Sequence, residues 1–132
     1  MVFMPIDVVP VWSTDHLGPI EGPATLAGRT LLGPDHRPEF WREWLQANDI
    51  DAAGLTIRNV DALLLYELAM AGAGVAIGLS PLIAPLLEQG RLQALTGHRV
   101  RSTRSFVLIS RRDQPRGASA LFRDWLIAQS RS

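Results

Sequence analysis

The 132-residue chain has no cysteine, no excess of charge of either sign and no long run of apolar residues. Without cysteine it can form neither disulfides nor thiol-based sites. Its thirteen basic and thirteen acidic residues cancel, so the basic excess typical of nucleic-acid-binding proteins is missing. No apolar run is long enough to span a bilayer, and the start, MVFMPIDVVPVW, lacks the positive segment of a secretory signal. The sequence therefore predicts a cytoplasmic protein that makes no membrane contact.

Signatures of metal sites and of catalysis are missing as well. The three histidines, His16, His36 and His98, lie far apart and lack a ligand spacing such as H-x-x-x-H. Ser13 and Asp15 are close to His16 in sequence, but neighbours in sequence do not make a triad, and there is no G-x-S-x-G motif. These absences predict a protein with no metal, no cofactor and no enzymatic activity.

One glycine-rich stretch, YELAMAGAGVAIGLS (residues 66–80), resembles a dinucleotide-binding loop at first sight. That loop needs G-x-G-x-x-G between a strand and the helix that follows it. Here the spacing is G-x-G-x-x-x-G, and the predicted helix precedes the predicted strand. We therefore expect Gly72 to close the helix in a left-handed conformation, and Gly74 and Gly78 to let the strand pack closely against its neighbours.

Strand and helix patterns alternate along the chain, which predicts a one-domain α/β fold with a mostly parallel sheet flanked by helices. The hydrophobic fraction of 47% is sufficient for a core. Predicted strands cover residues 6–12, 30–32, 53–59, 74–79 and 104–111, and predicted helices cover residues 37–49, 60–72, 80–90 and 117–130.

Three local signals refine these elements. Pro10 lacks a backbone donor, so its strand should lie at an edge of the sheet or end there. Ser80 is a natural N-cap, with Pro81 at the first helical position. The last predicted helix, residues 117–130, is amphipathic, with Leu121, Trp125 and Leu126 on its apolar side.

Four stretches resemble, in order, motifs of the effector-binding module of bacterial LysR-type transcriptional regulators, especially the glycine-cleavage-activator-like branch. They are VVPVWSTDHL (8–17, with Thr14 where proline is usual), FWREWLQAND (40–49), ALLLYELAMAGAGVAIGLSPLIAPLLEQGRLQAL (62–95) and ALFRDWLIAQS (120–130). Each motif alone is weak, whereas four in sequence order are much more specific.

The resemblance implies a fold of the type-2 periplasmic-binding-protein kind, with two α/β lobes. Residues 1–132 would then be a truncated module, with residues 12–78 forming lobe two and residues 79–132 returning to lobe one. The first part of lobe one and the DNA-binding helix-turn-helix domain would be absent from this chain. The implied function is binding of a small metabolite, such as an amino acid or another carboxylate, to control transcription. Two alternatives stay open: an interaction protein that pairs with a full-length regulator, and a small α/β enzyme.

Such modules hold the ligand between the lobes, near helix N-termini and strand ends. Two stretches fit that description, and they supply the predicted ligand-binding residues Trp12, Ser13, Thr14, Asn59, Val60 and Asp61. The alternative is that the polar members only cap helices, as these residue types commonly do, and that Trp12 packs in the core.

The returning segment also predicts a homodimer. FVLIS (106–110) would leave a sheet edge open, and the helix around Trp125 would expose apolar side chains, both of which favour association. The alternative is a monomer whose last helix folds back onto its own chain. RVRSTRS (99–105), the only basic cluster, is expected to be solvated surface.

Overall fold

The computed structural model describes the backbone of residues 2–108 and 125–128 and the side chains of residues 4–105. The strands are β1 (Val2–Trp12), β2 (Thr30–Pro34), β3 (Thr56–Val60), β4 (Val75–Ser80), β5 (Gln93–Ala94), β6 (Val100–Leu108) and β7 (Trp125–Ala128). The helices are α1 (Thr14–Leu17), α2 (Glu39–Ala47), α3 (Leu65–Met70) and α4 (Ala84–Glu88), with 3-10 turns at Pro23–Leu26, Ala52–Gly54 and Thr96–His98.

All seven strands belong to one mixed sheet. Its order is β3-β2-β4-β1-β6-β7, and β5 pairs with the end of β1. The predicted α/β class is confirmed. The predicted parallel pairing holds for β2 with β3 and β4, whereas β1, β5, β6 and β7 pair antiparallel with their neighbours. Parallel pairs need a crossover, and helical crossovers link only β2, β3 and β4 within the described residues.

Helices cover both faces of the sheet. The connection through α2 leads from β2 outward to β3, and the connection through α3 leads back across β2 to β4. Right-handed crossovers in opposite directions place their helices on opposite faces. The first five residues of β4, Val75–Leu79, are accordingly all buried, as expected for a strand covered on both sides.

The C-terminal prediction is wrong where the structure can test it. Residues Trp125–Ala128 form strand β7, not part of a helix, and pair with Ser105–Leu108 of β6. The physical reason is that the edge of β6 needs partners for its backbone N–H and C=O groups, and an apolar run such as WLIA suits a strand as well as a helix. Phe106–Leu108 is therefore not the open edge that we expected. Residues 109–124 and 129–132, including Leu121 and the end of FVLIS, lie outside the described residues.

Two local predictions also need correction. Pro10 lies in β1, inside the sheet, at the place where β6 pairing ends at Val8 and β5 pairing begins at Val11. Its missing N–H therefore removes no ladder hydrogen bond, and its carbonyl accepts one from Leu95 N at 3.0 Å. Ser80 is not an N-cap, because pairing with Asp7 keeps it in β4.

Helix α4 begins later than predicted. Ile83 occupies its N-cap position, and Pro85, not Pro81, is the proline of its first turn. Gly90, the predicted stop, follows the last turn with φ 71°.

The lobe boundary near residue 78 stays a prediction, although the described residues on its two sides pack together. The described residues share a single hydrophobic core to which both sides of that position contribute, including Val8, Leu31 and Trp44 before it and Leu79, Ile83 and Leu92 after it. Both β5 and β6 continue the same sheet.

The first glycine of the glycine-rich stretch closes α3 as predicted. Gly72 has φ 84°, in the left-handed region. A methyl group added there would meet His16 Cβ and Cγ at 2.5 Å, so α1 packs directly on this turn. Gly74 is equally restricted, since an added Cβ would lie 2.5 Å from the carbonyl oxygen of Thr30. The glycines therefore serve close packing, as predicted.

Polar contacts fasten α2 to β6. The Glu43 carboxylate accepts hydrogen bonds from Ser102 Oγ (2.6 Å), Thr103 Oγ1 (2.6 Å) and Thr103 N (3.2 Å). Glu39 pairs with Arg104 at 2.7 Å, with both side chains about one-fifth exposed. The basic cluster 99–105 is thus only partly solvated surface, because Ser102 is buried and Arg104 lies against α2.

Substitution of Gly72 by alanine tests the packing of α1 on the end of α3. We expect Gly72→Ala to lower the free energy of unfolding by about 1–2 kcal/mol for the left-handed backbone and by about 1–3 kcal/mol more for the clash with His16. Gly90→Ala is the matched control, since Gly90 follows α4 with φ 71° and an added Cβ would meet nothing within 4 Å. Equal losses for the two variants in urea unfolding would contradict the clash.

Substitution of Glu43 by alanine tests the link between α2 and β6. We expect Glu43→Ala to lower the free energy of unfolding by about 2 kcal/mol, because hydrogen bonds to charged groups contribute roughly 1.5–3 kcal/mol and buried Ser102 loses its acceptor. The control is Glu88→Ala, an exposed acidic residue of α4. Similar urea midpoints for both variants would show that the link contributes little.

Candidate functional site

The carboxyl ends of β2, β3 and β4 meet at one edge of the sheet. These parallel strands end at Pro34, Val60 and Ser80. Between β2 and β3 this edge is closed by a hydrogen bond, in which Asp35 N donates to the carbonyl oxygen of Val60 at 2.8 Å. Ligands of open α/β sheets bind outside the carboxyl ends of the strands. We call this region the carboxyl edge and define it by Asp35, His36, Asn59–Leu64, Ser80 and Arg99, together with the pair Asp7–Arg101 beside Ser80.

The structure does not bring the six predicted ligand-binding residues together. Asn59 and Val60 pair with the end of β2, so they belong to the carboxyl edge, and Asp61 follows them. Trp12, in contrast, ends β1, which runs antiparallel to β4 and pairs Val11 with Ala76. Ser13 and Thr14 continue from Trp12. Trp12, Ser13 and Thr14 therefore lie at the opposite edge of the sheet, beside the amino ends of the parallel strands.

Trp12 and Ser13 have local structural roles. Trp12 is 3% exposed, and its Nε1 donates to the Gly18 carbonyl at 2.9 Å, which agrees with the core-packing alternative. Ser13 is buried at the N-cap position of α1, where its Oγ lies 3.0 Å from Nδ1 of His16 and makes no capping bond to the backbone. Thr14 is exposed in the first turn of α1.

The second predicted group faces solvent at the carboxyl edge. Asn59 and Asp61 are exposed, and Val60 is half-buried. Asp61 Oδ1 accepts a hydrogen bond from Leu63 N at 2.8 Å, so it also caps the turn that leads into α3. Asp61 thus stabilises this turn without being the N-cap of α3, a position that Leu64 occupies, and it keeps a second carboxylate oxygen for other partners.

The sequence interpretation missed Leu63 and Leu64. They are 60% and 53% exposed, which is unusual for leucines directly after a strand end. A signal was available: three consecutive leucines, Leu63–Leu65, cannot all face the core from one turn, and only Leu65 is buried. The two exposed leucines give the carboxyl edge an apolar side.

The charges at the carboxyl edge are unevenly distributed. Arg101 is neutralised by Asp7, with Nε and Oδ1 2.5 Å apart. Arg99 Nη1 donates to Ser80 Oγ at 3.5 Å and has no carboxylate partner among the described side chains. Asp35 and Asp61 place negative charge at the ends of the other two strands. The edge therefore offers an uncompensated guanidinium beside a hydroxyl on the β4 side, and carboxylates on the β2 and β3 side.

The Tyr66 side chain of α3 holds the end of β4 in place, close to the carboxyl edge. Its buried hydroxyl donates to the Ile77 carbonyl at 3.3 Å and accepts from Leu79 N at 3.0 Å. Burial raises the pKa of Tyr66 well above its usual value, and the hydrogen bond from Leu79 opposes that rise without cancelling it. Tyr66 therefore holds, in neutral form, the residue that precedes Ser80.

Two further features are absent from the described residues. No group of three or more histidine, aspartate or glutamate side chains is arranged there to hold a metal ion. None of the helices in that part of the chain combines the length and the apolar character needed to cross a membrane.

Comparison with known proteins gives a consistent result. The profile of the LysR substrate binding domain matches residues 2–131. The effector domain of the transcriptional regulator AmpR of Pseudomonas aeruginosa is similar at 21% identity and a TM-score of 0.63, over 77% of this chain and 50% of that one. The AmpR effector binding domain from Citrobacter freundii gives 21% identity and 0.63, over 76% and 52%.

A third solved structure, the regulatory domain of CrgA, a LysR-type transcriptional regulator from Neisseria meningitidis, is similar at 18% identity and a TM-score of 0.56, over 77% of this chain and 52% of that one. The chain thus spans about half the length of these solved domains. No curated protein matches it significantly.

The buried phenol of Tyr66 predicts a loss of stability in alkaline solution. Above about pH 10 an unfolded tyrosine loses its proton while the folded one keeps it, so the free energy of unfolding should fall by up to about 1.4 kcal/mol per pH unit. Tyr66 is the only tyrosine, and the chain contains no lysine or cysteine, so no other side chain except arginine titrates there. Urea unfolding at several pH values measures the slope.

The matched variant is Tyr66→Phe. It should lose about 1–3 kcal/mol at neutral pH, because Leu79 N is left without an acceptor, and it should show no further alkaline loss. An alkaline slope that persists in Tyr66→Phe would contradict the assignment.

Proposed function

The chain belongs to the family of LysR substrate-binding domains, and on that premise we propose that it binds a small-molecule effector for a transcriptional regulator. The observation that carries the proposal is the carboxyl edge, where Arg99 beside Ser80 lacks a carboxylate partner among the described side chains. Guanidinium and hydroxyl groups are natural partners of a carboxylate. The proposed effector is therefore an amino acid or another small carboxylate.

For the site we retain Asn59, Val60 and Asp61 of the six predicted residues. Trp12, Ser13 and Thr14 are left out, because they lie at the other edge of the sheet, where Trp12 and Ser13 have structural roles. In their place the proposal adds Ser80 and Arg99. If the effector is an amino acid, its ammonium group would face Asp35 or Asp61, and Leu63 and Leu64 would contact an apolar side chain.

We propose that the protein catalyses no reaction. It acts in the cytoplasm as part of a regulator, in which DNA is contacted by a helix-turn-helix domain and not by the present residues. We also propose a homodimer, since symmetric dimers are the commonest oligomers of soluble proteins and β3 pairs only with β2 in the described part of the sheet. Binding would favour one geometry of the effector module over another and thereby change transcription.

Binding by residues 1–132 alone should be weak. The carboxyl edge is one wall of a crevice, and a complete site buries most of its ligand. We expect dissociation constants in the millimolar range, about 4 kcal/mol, for amino acids and small carboxylates in isothermal titration calorimetry. Micromolar binding by this chain would contradict the one-wall proposal unless a second copy completes the site, which the mass of the complex in light scattering would reveal.

The role of Arg99 is tested with a charge-matched pair of variants. Arg99→Gln should weaken carboxylate binding roughly tenfold, because hydrogen bonds to charged groups contribute about 1.5 kcal/mol or more. Arg91→Gln removes the same charge at an exposed position just after α4 and should leave binding unchanged. Equal effects of the two variants would show that only net charge matters.

A further inference from the structure

A second groove runs between α2 and β3 and meets the carboxyl edge at Asn59. Its volume is about 560 Å³, within the range of small-molecule sites. Pro38, just before α2, and Asn59, near the end of β3, lie at one end, and Ile50–Ala52, which lead back to the start of β3, lie at the other. The groove lies on one face of β3, the face that carries Ile57 and Asn59.

The middle of the groove is apolar. Leu45 of α2 is 2% exposed and forms its floor, Ile50 is half-buried beside it, and Ile57 of β3 is 37% exposed. Ile57 is one of only three large hydrophobic side chains exposed to this degree in the described part of the chain, and the other two are Leu63 and Leu64. An apolar surface with this shape gains free energy when a ligand covers it.

The charged side chains of α2 lie on two sides of the helix, the acidic ones toward β6 and Arg42 toward the groove. On the side that faces β6, Glu39 forms an ion pair with Arg104. Glu43 accepts hydrogen bonds from Ser102 and Thr103 on the same side. Arg42 lines the groove instead, and it forms no ion pair or hydrogen bond with any described residue.

The groove also contains amide groups and one acid. Gln46, one turn after Arg42, and Asn59 are its exposed amides. The only acidic side chain that lines it is Asp51, at the end remote from Pro38, where Oδ1 accepts a hydrogen bond from Ala53 N at 2.9 Å. The arginine is therefore available to a ligand, and the aspartate disfavours a second negative charge at the far end.

We propose that this groove binds a small amphipathic monocarboxylate. Its carboxylate pairs with the Arg42 guanidinium, whose planar fork suits two-point contact, and its apolar body covers Leu45, Ile50 and Ile57. This site shares only Asn59 with the carboxyl edge, uses neither Arg99 nor Ser80, and does not depend on the function proposed above.

The probe is 3-phenylpropionate, titrated into the whole chain and followed by methyl-detected NMR. We expect saturable binding with a dissociation constant of a few millimolar, as befits a ligand of this size, and shifts concentrated on the methyl groups of Leu45, Ile50 and Ile57. The neutral analogue 3-phenylpropanamide should bind roughly tenfold more weakly, because it cannot form the ion pair.

Arg42→Gln should weaken binding of 3-phenylpropionate roughly tenfold. The matched control is Arg58→Gln, since Arg58 follows Ile57 on β3, is also exposed and points to the opposite face of the strand. Arg99→Gln should also retain binding, which separates this groove from the carboxyl edge. Unfolding curves of the variants should coincide with that of the unmodified chain, as Arg42 and Arg58 are exposed.

Three outcomes would overturn the proposal. The first is an absence of saturable binding of 3-phenylpropionate. The second is equal weakening by Arg42→Gln and Arg58→Gln, which would indicate a nonspecific charge effect. The third is a set of shifts centred on Leu63 and Leu64, with loss of binding in Arg99→Gln, which would place the carboxylate at the carboxyl edge.

Discussion

Burial of β4 on both faces is the constraint on which the rest of the structure depends. Its sequence, VAIGLS, is apolar except at the last residue, so every neighbouring element must supply apolar cover or backbone partners. Strands β1 and β2 provide the backbone partners, and the helices provide the cover. Gly74, directly before the strand, and Gly78, within it, have no side chain and so allow close approach of the Thr30 carbonyl and the Val9 carbonyl. The hydroxyl of Tyr66 then satisfies backbone groups of Ile77 and Leu79 and fixes the end of the strand.

This central strand also decides where polar side chains can collect. Because β4 is covered along its length, its first solvent-accessible side chain is Ser80, at the carboxyl end. Strands β2 and β3 end level with each other at Pro34 and Val60, and β1 and β6 pass beside Ser80 with Asp7 and Arg101. The carboxyl edge is therefore a consequence of the packing and does not need a dedicated loop. The opposite edge is filled by α1, whose His16 rests on Gly72.

Local sequence signals predicted most of the elements but not which site residues lie at the same edge of the sheet, for a physical reason. Periodicity and glycine chemistry are local, so they located α2, α3, β4 and the left-handed Gly72. Strand order is not local. Ser13 and Asn59 both follow or end a strand, but the antiparallel direction of β1 relative to β4 puts them at opposite edges, and nothing in the sequence around Trp12 reports that direction. The same limit explains β7, since WLIA carries both helical and strand preferences and the open edge of β6 decides between them.

Polar side chains that already have partners within the fold differ in role from those that are available to a ligand. Ser13, Glu43 and Asp7 have partners within the fold at hydrogen-bond distance, so their removal should cost stability before it affects any ligand. Arg42 and Arg99 lack a carboxylate partner among the described side chains, and Arg42 lines a groove together with the exposed Ile57. An exposed arginine alone is common and carries no function. An arginine combined with an uncovered apolar surface is different, because ion pairing and burial of that surface can then reinforce each other in binding one ligand.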